Sequence, residues 1–201
     1  MTDEVLHPKL ASPPIEFTRN ELDWLPWLQP LPEAGLSDRQ RDALVDAGRA
    51  KSDYFRLLAH DPAVLKARTL ADKDIFYNGD GGLPRAEREL SAAAASRMNG
   101  CIYCASVHAR FAATYSKRPD DVQRLLDEGV GAELGERWNA VAAAAAALTA
   151  TPPSFGAEHV ARLRTTGLDD LAILDVVQSA SFFGWANRLM LSLGEPAPKG
   201  G

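Results

Sequence analysis

Two cysteines and one histidine lie close together in the middle of the sequence, at spacings that could form a reactive thiol site. They are Cys101, Cys104 and His108. If a helix begins at Gly100 and continues through Arg110, a rotation of about 100° per residue places the three side chains within roughly 60° on one face. Cys104 and His108 are i,i+4 neighbours, so the imidazole could reach the thiol one turn away.

The predicted position of both thiols at the start of a helix favours thiolate chemistry. Asn99-Gly100 indicates a break just before this helix. The thiols are therefore expected in the first turns, where unpaired N–H groups and the positive dipole end stabilise a thiolate. The i,i+3 spacing of Cys101 and Cys104 permits a disulfide after a local adjustment. This pattern indicates a dithiol in which one thiolate attacks and the other resolves the product as a disulfide.

The elements that must position these thiols are predicted to be helices. Ser37 and Gln40 have the form of a capping box, Asp61 can cap a helix with Pro62 in its first position, and Pro84 can begin another. Helices are expected over 37–60 (two helices or one kinked), 62–74, 85–98, 100–110, 121–128, 133–150, 156–165 and 169–193. No convincing strand is predicted. We therefore expect an all-α multi-helix bundle, and a thioredoxin fold, which needs βαβ units, is disfavoured.

The first 36 residues differ in composition from the remainder. They hold six of the thirteen prolines together with Trp24 and Trp27. Proline removes a backbone donor and restricts the residue before it, so this segment cannot form one long helix. We expect an extended N-terminal arm over 1–36, with its tryptophans on the body or on a neighbouring subunit, and a helical domain over 37–201.

Composition narrows the functional classes. The chain has 201 residues, 46% of them hydrophobic, a net charge of -5 and a pI near 5.4. This charge gives no support for binding to nucleic acid or to an anionic membrane. The N-terminus lacks a secretory pattern and no stretch is apolar enough for a transmembrane helix, which predicts a soluble cytoplasmic protein. Two cysteines do not make a disulfide framework, so a CxxC here indicates redox or metal chemistry.

A wider pattern resembles a known family. Glu89, Cys101, Cys104 and His108 read as E-x11-C-x2-C-x3-H, which resembles the signature of the alkylhydroperoxidase D-like proteins within the carboxymuconolactone decarboxylase superfamily. The stretch RMNGCIYC, residues 97–104, is similar to the peroxidase-related branch. The resemblance implies an all-helical homo-oligomer and a thiol peroxidase for hydrogen peroxide or organic hydroperoxides that needs no cofactor and no metal.

The resemblance also implies roles for single residues. Cys104 would be the peroxidatic thiol and Cys101 the resolving thiol, while His108 would take the proton from Cys104 and Glu89 would complete the relay. An external thiol or dithiol reductant, such as a lipoyl or thioredoxin-like protein, would restore the pair. The chain departs from the family at Tyr103, where the best-known alkylhydroperoxidase carries a second histidine, so one imidazole remains in the relay.

Several alternatives stay open from the sequence. The cysteines could be small buried hydrophobic residues, and Glu89 a solvated helix charge. Cys101, Cys104, His108 and Glu89 could instead ligate zinc, although structural zinc sites usually draw ligands from two separated elements. Further alternatives are a non-redox carboxymuconolactone decarboxylase acting on a lactone acid, and a scaffold protein of the same fold without turnover.

Other chemistry-bearing residues are assigned structural roles. The histidines His7, His60 and His159 are expected to be caps, surface or packing residues. The aromatic residues near the last helix, Phe182, Phe183 and Trp185, are expected in the core or at a subunit contact, as is Trp138. Asn187-Arg188 could orient a carboxylate, but a structural pairing is favoured.

Overall fold

The computed structural model describes residues 5–6 and 13–200 and confirms an all-α architecture with a small added sheet. His7 and the other residues of 1–4 and 7–12 lie outside the described part. The helices of the described chain are α1 (Asp38–Ala43), α2 (Asp53–Leu58), α3 (Pro62–Tyr77), α4 (Arg85–Met98), α5 (Ile102–Ser116), α6 (Pro119–Glu128), α7 (Glu136–Thr149), α8 (Ala157–Thr165) and α9 (Asp170–Leu193). Short 3-10 helices span Glu33–Gly35 and Ala47–Lys51.

Helix α4 is the centre of the fold. It packs against α5, α7 and α9, and it is buried along almost its whole length. Its four consecutive alanines, Ala92 to Ala95, have no exposed surface. Because alanine has only a methyl side chain, neighbouring helices approach α4 closely without leaving voids. The polar side chains that α4 carries are therefore enclosed by the bundle.

The predicted helix starts are confirmed where a cap defines them. Ser37 and Gln40 form the expected capping box at the start of α1. Asp61 accepts a hydrogen bond from the backbone N–H of Val64, and Pro62 occupies the first position of α3. Helix α3 continues to Tyr77, three residues beyond the predicted end at residue 74.

The junction between α4 and α5 is a Schellman motif. The N–H of Gly100 donates to Arg97 O, and the N–H of Cys101 donates to Ser96 O at 3.0 Å. Gly100 has a φ of +76°, a conformation that a side chain would strain. The thiol helix therefore begins at Ile102 and not at Gly100 as predicted, which makes Cys101 the N-cap residue of α5.

A two-stranded sheet corrects the prediction that the chain has no strand. Strand β1 (Leu22–Pro26) pairs antiparallel with β2 (Gly194–Pro198), with Leu22 opposite Pro198 and Pro26 opposite Gly194. The prolines are compatible with this sheet because both strands lie at its edges.

Residues 22–27 of the predicted N-terminal arm pack on the helical body. Trp24 is buried, its indole Nε1 donates to Met190 O at 3.2 Å, and its ring meets Tyr54 edge to face. The N–H of Trp27 donates to Leu193 O at 2.8 Å. The described helices include none that is both long and apolar enough to cross a membrane.

Candidate active site

Glu89 and His108 form a buried hydrogen-bonded pair between α4 and α5. Glu89 Oε2 lies 2.6 Å from His108 Nδ1, and the glutamate is only 1% exposed. Its other oxygen, Oε1, accepts from Arg85 at 3.0 Å. The carboxylate is thus held on both sides, and it orients the imidazole through Nδ1 so that Nε2 is left for chemistry.

Aromatic rings fix the plane of the His108 imidazole. The Phe183 ring centroid lies 3.9 Å away at an interplanar angle of 67°, and Phe76 lies at 5.3 Å. These rings come from α9 and α3, so three helices define the orientation of one imidazole. The expectation that Phe183 is a core residue is confirmed by its burial, and the same burial places it against the candidate site.

The two thiols lie at the N-terminal end of α5 and are both buried and free. Cys101 is 2% exposed and Cys104 is 5% exposed. The pKa of Cys101 is lowered, chiefly because the Cys104 side chain stabilises its thiolate, and further by the backbone N–H of Cys104 and by Asn187, while burial opposes the shift. The same interaction, together with burial, raises the pKa of Cys104 well above its usual value. Cys101 is therefore the more acidic thiol of the pair.

Asn187 of α9 is a site residue that the sequence did not reveal as one. It has no exposed surface, its Nδ2 donates to Ser96 Oγ at 3.1 Å, and its Oδ1 accepts from Asn99 at 3.0 Å. Asn187 also lowers the pKa of both thiols. The structural pairing predicted for Asn187 is present, and it fixes an amide beside the dithiol.

A cavity of about 180 Å³ brings the candidate residues together. Cys104, His108 and Glu89 all line it, whereas Cys101 lies behind Cys104 and is not part of the lining. Half of the remaining lining residues are aromatic, and they come from α2, α3, α5 and α9. A small molecule in this cavity would therefore meet the Cys104 thiol first.

The thiols and the imidazole are not directly bonded to each other in this structure. Among the hydrogen bonds of residues 5–6 and 13–200, none joins His108 to Cys101 or to Cys104. Because Cys104 and His108 line the same cavity, a molecule bound there would lie between them.

The structure places Glu89, Cys104 and His108 in one cavity, with Cys101 beside Cys104 but outside the lining. Glu89 is not the solvated charge considered above, because it is enclosed by Arg85 and His108. Sequence reasoning missed Tyr54, Arg68 and Phe76. These residues carry no shared motif, and they reach the cavity because α2 packs against α3, which in turn packs against α4 and α9.

Within the described part of the chain, no group of three or more His, Cys, Asp or Glu side chains is arranged to hold a metal ion. The acidic oxygen nearest to the imidazole, Glu89 Oε2, is bonded to its Nδ1.

Comparisons with known proteins give one family and several similar structures. Residues 62–150 match the sequence model of the carboxymuconolactone decarboxylase family. A search of functionally curated proteins finds no match. A peroxidase-related protein from Ralstonia eutropha JMP134, described as an alkylhydroperoxidase AhpD core, is similar with a TM-score of 0.73 and 24% identity over 86% of this chain and 92% of that chain.

Two further structures share the fold. A peroxidase-related protein from Silicibacter sp. TM1040 has a TM-score of 0.69 and 24% identity, over 84% of this chain and 91% of that chain. The debrominase Bmp8 has a TM-score of 0.65 and 18% identity, over 82% of this chain and 88% of that chain. A variant of Bmp8 is known in complex with 2,3,4-tribromopyrrole.

Proposed function

Because residues 62–150 match the carboxymuconolactone decarboxylase family model, we propose that this chain is a member of that superfamily and a thiol-dependent peroxidase for hydrogen peroxide or organic hydroperoxides. The observation that carries the proposal is the shared cavity of Cys104, His108 and Glu89, with Cys101 next to Cys104. A dithiol beside an imidazole and carboxylate supplies both the nucleophile and the proton carrier of such a reaction.

The proposed first step takes place at Cys104, because its thiol meets the cavity. The Cys104 sulfur attacks one peroxide oxygen, so that an S–O bond forms and the O–O bond breaks. The thiol is oxidised to a sulfenic acid and the hydroperoxide is reduced to an alkoxide. The alkoxide takes a proton and leaves as an alcohol.

His108 is proposed to carry the proton in that step. The raised pKa of Cys104 means that its proton must leave as the sulfur attacks. A peroxide between Cys104 and His108 would pass this proton to the imidazole and then receive it on the departing oxygen. Glu89 would stabilise the imidazolium through its 2.6 Å contact with Nδ1.

Cys101 is proposed to complete the oxidation. The backbone N–H of Cys104 and the Asn187 side chain, which lower the pKa of Cys101, would favour the thiolate that attacks the Cys104 sulfenic sulfur. The S–S bond forms, and hydroxide leaves and takes a proton as water. An external thiol or dithiol, such as a lipoyl or thioredoxin-like protein, would then reduce the disulfide. We also propose that the protein works as a homo-oligomer.

The test is a thiol count on reduced protein before and after one equivalent of cumene hydroperoxide. The wild type should lose both thiols. A sulfenic acid should be trapped in Cys101→Ser, which retains Cys104, and not in Cys104→Ser. A trapped sulfenic acid in Cys104→Ser alone would reverse the two roles. Thiols that stay intact, or turnover of a lactone acid that survives Cys104→Ser, would overturn the peroxidase proposal in favour of a non-redox enzyme or a scaffold.

A second candidate function is the reductive removal of a halogen from a small aromatic ring. It is favoured by the aromatic wall of the cavity and by the structural similarity to the debrominase Bmp8. In this reaction the dithiol would supply two electrons, the carbon–halogen bond would be replaced by a C–H bond, and the products would be halide and the disulfide. Release of bromide from tribromopyrrole with loss of both thiols would support it.

A further inference from the structure

Two buried donor groups in the cavity wall are not used by the proposed thiol chemistry. They are the hydroxyl of Tyr54 and the Nε of Arg68, on α2 and α3. Tyr54 is 8% exposed and Arg68 is 9% exposed, and within the described part of the chain neither atom makes a hydrogen bond of normal geometry, although the Arg68 guanidinium is close enough to the Tyr54 hydroxyl to offset part of the rise in its pKa that burial causes. A buried polar group without a partner is costly, so such groups often mark the place of a ligand.

We propose that Tyr54 and Arg68 form a binding site for a carboxylate group of the substrate, next to the Cys104 thiol. The inference rests on the proposed function and specifies its substrate class. The substrate would be a hydroperoxide with a small apolar body and one carboxylate. The apolar body would contact the aromatic wall, and the carboxylate would accept hydrogen bonds from the hydroxyl and the guanidinium.

The local charge favours an anion. Arg49 and Arg68 share one carboxylate, that of Asp72, at 3.3 Å and 3.4 Å. Two guanidinium cations with one carboxylate leave this cluster with an uncompensated positive charge. The other acidic residue in the lining, Glu89, is already engaged with Arg85 and His108. An incoming carboxylate would therefore meet the Arg68 guanidinium, and Arg49, which does not line the cavity, adds positive charge beside Asp72.

The donor character of both groups is fixed by their environment. Burial raises the pKa of Tyr54, so its hydroxyl keeps its proton and can donate at neutral pH. An arginine guanidinium has donors and no acceptor. A ligand that satisfies both groups must therefore supply acceptor oxygens, as a carboxylate does with its two.

The guanidinium of Arg68 is held in place before any ligand arrives. Its Cζ lies 5.3 Å from the centroid of Phe55 and 5.1 Å from that of Phe182. Its contact with Asp72 fixes the planar group further. Binding a carboxylate would therefore require little ordering of this side chain, which favours affinity.

The site is close to the reacting sulfur. The Arg68 charge lowers the pKa of Cys104, and the charge of Cys104 in turn raises the pKa of Tyr54. The cavity of about 180 Å³ is of the size that admits one aromatic ring, since an apolar cavity of about 150 Å³ binds benzene. A single ring can thus span from the carboxylate site to the thiol.

The first experiment measures binding without turnover. Titration calorimetry on the reduced wild type should detect para-isopropylbenzoate and should detect its uncharged analogue, para-isopropylbenzyl alcohol, at least about tenfold more weakly. Tyr54→Phe should weaken benzoate binding about tenfold, since a hydrogen bond to a charged group is lost. Arg68→Met should weaken it further. Tyr115→Phe, a matched substitution outside the cavity lining, should bind as the wild type does.

The second experiment measures selectivity during turnover. Stopped-flow kinetics give the rate of thiol oxidation by para-carboxycumene hydroperoxide divided by the rate with cumene hydroperoxide. This ratio should exceed one in the wild type and should fall about tenfold in Tyr54→Phe. If Arg68→Met does not fold, Tyr54→Phe, which removes one hydroxyl, still decides the question.

The outcomes separate the two proposals. Equal binding of the carboxylate and the alcohol, or benzoate binding unchanged in Tyr54→Phe and Arg68→Met, would overturn the carboxylate site whether or not peroxides are reduced. Selective benzoate binding by a protein that reduces neither hydroperoxide would support the site and overturn the peroxidase proposal.

Discussion

The acidity of Cys101 provides the sharpest quantitative test of the site. In the structure its thiolate is stabilised first by the Cys104 side chain, then by the backbone N–H of Cys104 and by Asn187. Cys104→Ala removes the first of these and keeps the other two. Cys104→Ser keeps an O–H donor at the same position and serves as the matched control.

The expected magnitude follows from the energy of the lost contact. A hydrogen bond to a charged group contributes about 1.5–3 kcal/mol, and one pKa unit corresponds to about 1.4 kcal/mol. The pKa of Cys101 should therefore be higher in Cys104→Ala than in Cys104→Ser by roughly 1–2 units. The pKa of Cys101 should rise, because Cys104→Ala removes a group that stabilises the Cys101 thiolate.

The assay is a pH titration of the thiolate absorbance in the ultraviolet for each variant. A protein with both cysteines replaced by alanine gives the background from tyrosine ionisation. The reaction rate with a small alkylating agent should follow the same pH curve. Equal Cys101 pKa values in the alanine and serine variants would refute the reasoning, because the Cys104 side chain would then not be the main stabilising group.

Four further predictions follow from contacts described above. Glu89→Gln should slow oxidation of the thiols by cumene hydroperoxide about 100-fold, since the imidazole loses its anionic partner, and an unchanged stopped-flow rate would exclude a role for the relay. Asn187→Leu should lower the free energy of unfolding by about 1–3 kcal/mol in urea, because Ser96 and Asn99 lose their buried partner; full stability would contradict this. Trp24→Phe should lower the free energy of unfolding by about 1 kcal/mol, because the hydrogen bond to Met190 O is lost. Trp24→Ala should lower it by about 3–5 kcal/mol, and equal losses in the two variants would argue against the hydrogen bond. Leu171→Glu with Leu174→Glu should reduce the mass measured by light scattering, because these exposed leucines of α9 are expected to contact another subunit; an unchanged mass would place any subunit contact elsewhere.

The sequence predicted those parts of the fold that depend on local signals. Pro84 and Asn99-Gly100 delimit α4 as expected. The start of α5 was wrong by two residues because the positive φ of Gly100 closes the α4 terminus and leaves Cys101 outside the helix. The sequence therefore predicted the break at Asn99-Gly100 but not the residue at which α5 begins.

Features that depend on packing between distant segments were not predictable in the same way. The alternation of buried residues at Leu22, Trp24 and Pro26 is a strand signal. Its meaning depends on a partner near residue 196, which no local pattern identifies. Likewise, Tyr54 and Arg68 carry no motif, and they line the same cavity as Cys104 because α2 packs against α3 and α3 packs against α4 and α9.

The pairing of β1 with β2 has a consequence for the order in which the protein folds. The α4 and α5 pair is local in sequence, whereas the two strands are separated by nearly the whole chain, and such distant contacts carry a larger loop-closure cost. During synthesis, β1 emerges early but cannot pair until residue 198 has left the ribosome. Trp24 of β1 packs on Tyr54 of the cavity wall. We therefore expect the nascent chain to assemble its thiol helix first and to complete the cavity wall last.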